Sequence, residues 1–66
     1  MDAYEFLDLL NQDDVVVYVY DMTTESEKYF TEKRDAQEEY GECEVLSFDV
    51  CYVCDELSVT LNIETE

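Results

Sequence analysis

The chain has 66 residues, nineteen of them acidic and three basic, with no histidine, for a net charge of −16. That balance disfavours direct binding to nucleic acid or to an anionic membrane, and it points to basic proteins as targets. Hydrophobic residues make up 47% of the chain, including six tyrosines and three phenylalanines. This is more apolar material than disordered acidic tails contain, so one folded domain over residues 1–66 is expected. A chain of this length should have a radius of gyration of roughly 11 Å and a diameter of about 28 Å.

From Asp2 to about Asn11, Ala3, Phe6, Leu7 and Leu10 recur at helical spacing, with Asp2, Glu5 and Asp8 on the opposite face. Asn11, Gln12, Asp13 and Asp14 then read as a turn. Val15 to Asp21 is the strongest strand signal, with Val15, Val17 and Val19 on one face and Val16, Tyr18 and Tyr20 on the other. Both faces are apolar, which suits a central strand, or one covered by helices on one side and by a partner on the other.

Two readings fit the next stretch. Thr24 and Glu27 have capping-box spacing, which would start a helix running to Tyr40. The preferred alternative is a loop from Met22 to Glu27, a short strand at Lys28–Phe30 and a helix capped by Thr31. Either helix ends at Tyr40, with Gly41, the only glycine, expected as a left-handed cap.

Leu46, Phe48, Val50, Tyr52 and Cys54 alternate along the next strand, with Glu44 opening the row. A tight connection at Asp55 and Glu56 leads to a last strand in which Leu57, Val59, Leu61 and Ile63 alternate with polar residues. The order α-β-β-α-β-β predicts an α+β fold: a small, mainly antiparallel four-stranded sheet with both helices on one face.

No catalytic set is legible. Without histidine and with one glycine there is neither a Ser-His-Asp arrangement nor a phosphate loop, so no enzyme activity is expected. Cys51 and Cys54 form a lone CxxC, to which only Cys43 could be added, short of the four ligands of structural zinc. An acidic setting opposes a redox role, so the three cysteines are expected to be reduced, small buried hydrophobes. The acid pairs Asp13-Asp14 and Asp55-Glu56 have no calcium-loop spacing and read as turn residues. No cofactor is expected. No run approaches the roughly 20 apolar residues of a membrane span, no signal-peptide pattern is present, and the cysteine number is odd; together these imply a cytoplasmic protein, in a host cell if phage-encoded.

The acids themselves carry the functional expectation. Sixteen net charges match the phosphates of about eight base pairs, which extend about 27 Å at one charge per ~1.7 Å. A net charge of magnitude about 2–8 suffices for solubility, so the excess asks for another explanation. Asp2, Glu5 and Asp8 form one helical row; Glu32, Asp35, Glu38 and Glu39 form a second, extended by Glu42 and Glu44. Lys28, Lys33 and Arg34 are expected to relieve charge locally. Tyr18 and Tyr20 are the candidate interface anchors.

In size and composition the chain resembles the small acidic phage inhibitors of nucleic-acid-binding host-defence proteins: anti-restriction proteins, anti-CRISPR proteins and uracil-DNA glycosylase inhibitors. The resemblance covers overall character and transfers no residue. It implies an inhibitor of a basic nucleic-acid-binding protein, a nuclease or effector complex, acting by nucleic-acid mimicry. The alternative is an acidic adaptor that binds away from the nucleic-acid site. A homodimer joined through an exposed sheet edge or face is a third possibility.

Overall fold

The structure, a computed structural model, describes residues 1–11 and 14–65. The elements run α1 (Ala3–Asp8), β1 (Val15–Asp21), β2 (Ser26–Phe30), α2 (Lys33–Tyr40), β3 (Val45–Val53) and β4 (Glu56–Ile63). The α+β class and the α-β-β-α-β-β order agree with expectation, and of the two readings of residues 24–30 the strand is correct. Helix α1 is shorter than its apolar pattern. The expected turn over residues 11–14 lies partly outside the described residues.

The sheet order is β2-β1-β4-β3. Two antiparallel hairpins, β1–β2 and β3–β4, meet through a parallel β1–β4 pair, with Val17 beside Val59 and Val19 beside Leu61. The sheet is therefore mixed rather than mainly antiparallel. The reason is compositional. Each hairpin has one strand whose alternate residues are all aliphatic, and these two strands take the centre, where burial is deepest. Strand β2, with Glu27 and Lys28, suits an edge. Helix α2 carries the chain from one edge to the other, and the two inner strands then run the same way.

One sheet face supplies Val15, Val17, Val19, Val59, Leu61 and Ile63 to the core, all at most 1% exposed. Ala3 and Leu7 of α1 and Ala36 of α2 close over them. The small side chains of Ala3 and Ala36 let the helix backbones approach. Phe6, Leu10, Phe30, Tyr40, Cys43, Val45 and Leu57 pack around this centre. The radius of gyration is 10.8 Å.

Several local expectations are corrected. The N-cap of α2 is Glu32 rather than Thr31, and its side chain makes no capping bond. Gly41 is not left-handed: its φ of −57° is right-handed helical. Glycine is required there by a close approach, because a Cβ would lie 2.3 Å from the Gln37 carbonyl oxygen and 3.2 Å from the Tyr4 Cβ. The β3–β4 turn is Cys54-Asp55 rather than Asp55-Glu56. Both turn residues have positive φ (54° and 64°), as a two-residue hairpin with strand-matched twist demands. An irregularity between Val45 and Ser47 makes Leu46 an extra residue, so the apolar row on the helix side is Phe48, Val50 and Tyr52 without Leu46 or Cys54. The cysteines are free; Cys43 is partly buried and packs against the core, but Cys51 and Cys54 are exposed rather than small buried hydrophobes. Cys51 lies on an edge strand and Cys54 in the turn, where no second layer covers them.

Asp21 ends β1 and is 6% exposed. It accepts hydrogen bonds from the Thr23 amide (2.9 Å) and the Thr65 hydroxyl (3.0 Å). Burial pushes its pKa up, but the bonds from Thr23, Thr65 and Thr24 together outweigh that and hold it below the ordinary value.

Two outcomes follow from these contacts. Gly41→Ala forces the Gln37–Tyr4 contact apart and should cost about 1–3 kcal/mol, read from urea unfolding. Because Asp21 has a depressed folded pKa, its stabilising contribution is complete above the unfolded value near 3.9 and is lost as pH falls through the folded value. The difference in urea midpoint between wild type and Asp21→Asn should therefore be largest at neutral pH and shrink on acidification.

Candidate functional site

The two helices meet end to side. The Ala3 amide donates to the Cys43 carbonyl (2.8 Å) and the Tyr4 amide to the Gly41 carbonyl (3.0 Å). The Gln37 side-chain amide donates to the Tyr4 carbonyl at 3.1 Å. These bonds dock the start of α1 against the end of α2 and leave a groove of about 490 Å³ between them. Asp2, Glu38, Glu39 and Glu42 line it, with Tyr4 and Gln37. Four acidic residues, one at the N-cap of α1, two in α2 and one in the loop after it, thus line one groove with Tyr4, which is 54% exposed.

Each carboxylate has a local role as well. Asp2 is the N-cap of α1: its carboxylate accepts from the Glu5 amide at 2.8 Å, and the Glu5 carboxylate accepts from the Asp2 amide at 3.4 Å. This reciprocal box satisfies two otherwise unpaired helix donors. Glu39 forms an ion pair with Lys28 of β2, and proximity to that carboxylate raises the Lys28 pKa. Arg34 lies 3.8 Å from Glu32. These two pairs give Lys28 and Arg34 the charge-relieving role expected of them. Lys33 caps the end of α1 by donating to the Leu10 carbonyl at 2.6 Å.

The expected site residues divide into three groups. Asp2, Glu38, Glu39 and Glu42 come together in the groove. Glu5, Asp8, Glu32, Asp35 and Glu44 are exposed and lie on or beside the same helical layer, Glu44 bridging to Asp2 next to the start of β3. Tyr18 and Tyr20 are on the opposite face of the sheet: they alternate with the buried valines of β1 and are only partly exposed. Tyr18 packs on Tyr29 with ring centroids 5.2 Å apart. Period-2 alternation turns these two tyrosines away from the helices, so they lie on the other side of the sheet from the acidic rows.

The tyrosine that does sit among the acids is Tyr4. Its helical phase, between the apolar Ala3 and Phe6, was legible, but the arrival of the α2 C-terminus beside it was not. Burial raises the Tyr40 and Cys43 pKa values, with neighbouring carboxylates adding to the effect, so both groups stay neutral near pH 7. Among the described residues, no group of His, Cys, Asp or Glu side chains is arranged to hold a metal ion. Nor is any helix among them long and apolar enough to cross a membrane.

Comparison with known proteins finds no matching family model, curated protein or solved structure.

The double role of Asp2 separates its two effects. Asp2→Ala should lower stability by about 1 kcal/mol through loss of the cap, whereas Asp2→Asn should cost little. Thermal unfolding of the two variants at equal ionic strength checks this.

Proposed function

We propose that this protein binds a basic nucleic-acid-binding protein and inhibits it by occupying the surface that would hold the phosphate backbone. The lining of one groove by Asp2, Glu38, Glu39 and Glu42 together with Tyr4 is the observation that carries the reading. Side chains three or four apart on a helix are about 5–6 Å apart at Cβ, close to phosphate spacing. Lysines and arginines arranged for a backbone can therefore engage Asp35 and Glu38 in succession along α2, with Glu42 just beyond its C-cap. The exposed ring of Tyr4 supplies what a row of charges lacks: an apolar anchor that can be desolvated at the centre of the contact.

Distribution favours the helical side as the contact face. Asp2, Glu5, Asp8, Glu32, Asp35, Glu38, Glu39, Glu42 and Glu44 all belong to the helical layer and its flanks. On the opposite sheet face, the acids at strand positions among the described residues are Glu27, Asp49 and Glu56, set between Tyr18, Tyr20, Ser58 and Thr60. Encounter with a cationic groove would be steered by the helical face and weakened by salt.

The test is capture of partners from a host lysate at low and high salt, followed by competition with nucleic acid. Basic nucleic-acid-binding proteins should be retained at low salt, released at high salt and displaced by DNA or RNA. With such a partner, Glu38→Gln/Glu39→Gln/Glu42→Gln should slow association by about tenfold or more. Inhibition unchanged by the triple substitution would overturn mimicry. A partner that keeps its nucleic acid while bound would support the adaptor instead.

A further inference from the structure

Strand β3 is the outer strand on one side of the sheet and pairs only with β4. Its free edge has defined ends. At the start, the Val45 amide donates to the Met1 carbonyl and Asp2 bridges Glu44, so the N-terminal residues cover that end. At the other end the chain turns at Cys54-Asp55. Between them runs Ser47–Val53, uncovered and centred on Val50. In a two-residue hairpin the closing pair, here Val53 and Glu56, bond each other, and bonding alternates from there. The N–H and C=O groups of Phe48, Val50 and Tyr52 therefore point to the free edge.

The side chains along this edge set it apart from the rest of the chain. Phe48 and Val50 are each 52% exposed and Tyr52 is 62% exposed, all on the helix side of the sheet. In Val45–Val53 the only charged residue is Asp49, in a chain of net charge −16. A long, apolar edge strand without blocking charges is a template for strand pairing. The other edge, β2, carries Glu27 and Lys28 and is shorter.

We propose that the free edge of β3 pairs with β3 of a second copy of this chain, antiparallel, with Val50 opposite Val50. The strand is self-complementary in that register. Phe48 lies opposite Tyr52 of the second copy, giving two cross-strand aromatic pairs about the dyad. Asp49 lies opposite Cys51 of the second copy and so avoids its own copy. A groove of about 320 Å³ lined by Met1, Phe6, Val45, Leu46, Ser47 and Phe48 adjoins the position where that Tyr52 arrives. Phe48 is held there by stacking on Phe6, with ring centroids 4.6 Å apart. Each copy thus offers a tyrosine on one side of the dyad and an apolar seat on the other, as a two-fold contact requires. The dyad is perpendicular to the sheet, so both helical layers lie on the same side of one continuous eight-stranded sheet. A basic or acidic partner strand finds little to pair with on an edge whose sole charge is Asp49.

Sedimentation of the full chain over a concentration series tests this. Two copies of net charge −16 repel one another, and screening shortens from about 10 Å at 0.1 M salt to about 3 Å at 1 M. Self-association should therefore tighten by about tenfold or more across that range. The proposed binding to a basic protein weakens over the same range, so the two ideas fail separately. Val50→Lys and Val50→Pro should both abolish the dimer while circular dichroism shows the fold retained. The Val50 amide is not needed by β4, so proline removes only the edge donor.

Register is tested by Asp49→Cys in a Cys43→Ser/Cys54→Ser background, with Cys51 kept. The two thiols would occupy a non-hydrogen-bonded pair with Cα atoms about 4.5 Å apart, within disulfide range. Mild oxidation should give a covalent dimer on a non-reducing gel. A single-copy mass at about 1 mM chain in about 1 M salt overturns the proposal. So does a dimer that persists in both Val50 variants, or failure of the cysteine pair to link.

Discussion

Everything in this molecule is built on the parallel contact between β1 and β4. Val15, Val17 and Val19 from one strand and Val59, Leu61 and Ile63 from the other form a continuous aliphatic surface, against which Ala3, Leu7 and Ala36 of the helices are buried. Burying each of these side chains is worth about 1.5–3 kcal/mol. That gain is what holds together a chain whose charges repel one another. The helices are short, at six and eight residues, and owe their stability to covering this surface rather than to their own propensity.

Self-repulsion shapes where everything else goes. Carboxylates are expelled to the outside of the helical layer, to turns and to exposed strand positions, and two of the three cations lie against nearby acids. Lys28 holds Glu39 across the β2–α2 contact, and Arg34 lies near Glu32. Exposed pairs of this kind contribute at most about 1 kcal/mol, so they steer local geometry more than they stabilise the fold. Asp21 is the exception, a carboxylate drawn inside because three threonines supply its hydrogen bonds. The consequence is a two-sided object, with an acid-rich helical side and a sheet edge at β3 from which charge is nearly absent.

What was legible along the chain was whatever depends on neighbours close in sequence. The alternation in Val15–Asp21 and Leu57–Ile63 identified two strands, and in the second of them the buried face. The periodicity of Ala3, Phe6, Leu7 and Leu10 identified the inner face of α1. Local chemistry was less reliable at the boundaries. Thr31 was a plausible cap that the helix passed over, Gly41 was retained for a contact rather than for a left-handed turn, and the extra residue at Leu46 broke an alternation that looked regular. Partners distant in sequence bear on two of these: Tyr4 packs beside Gly41, where the Gln37 carbonyl also crowds a side chain, and the Met1–Asp2 segment lies beside Glu44 and Val45.

The amino-acid sequence by itself determined the sign and density of charge, the α+β class, and the alternation that sorts the residues of the two inner strands onto opposite faces. Those follow from composition and from periods of 2 and 3.6 residues, which are properties of the backbone. Tertiary structure alone decided that β1 and β4 lie side by side and parallel, and that Asp2 and the acids at the end of α2 line one groove with Tyr4. It also decided that β3 has a free edge. These depend on which hairpin strand turns inward and where α2 sets down, and that choice is made by the summed burial of the whole core, which no local window of sequence contains.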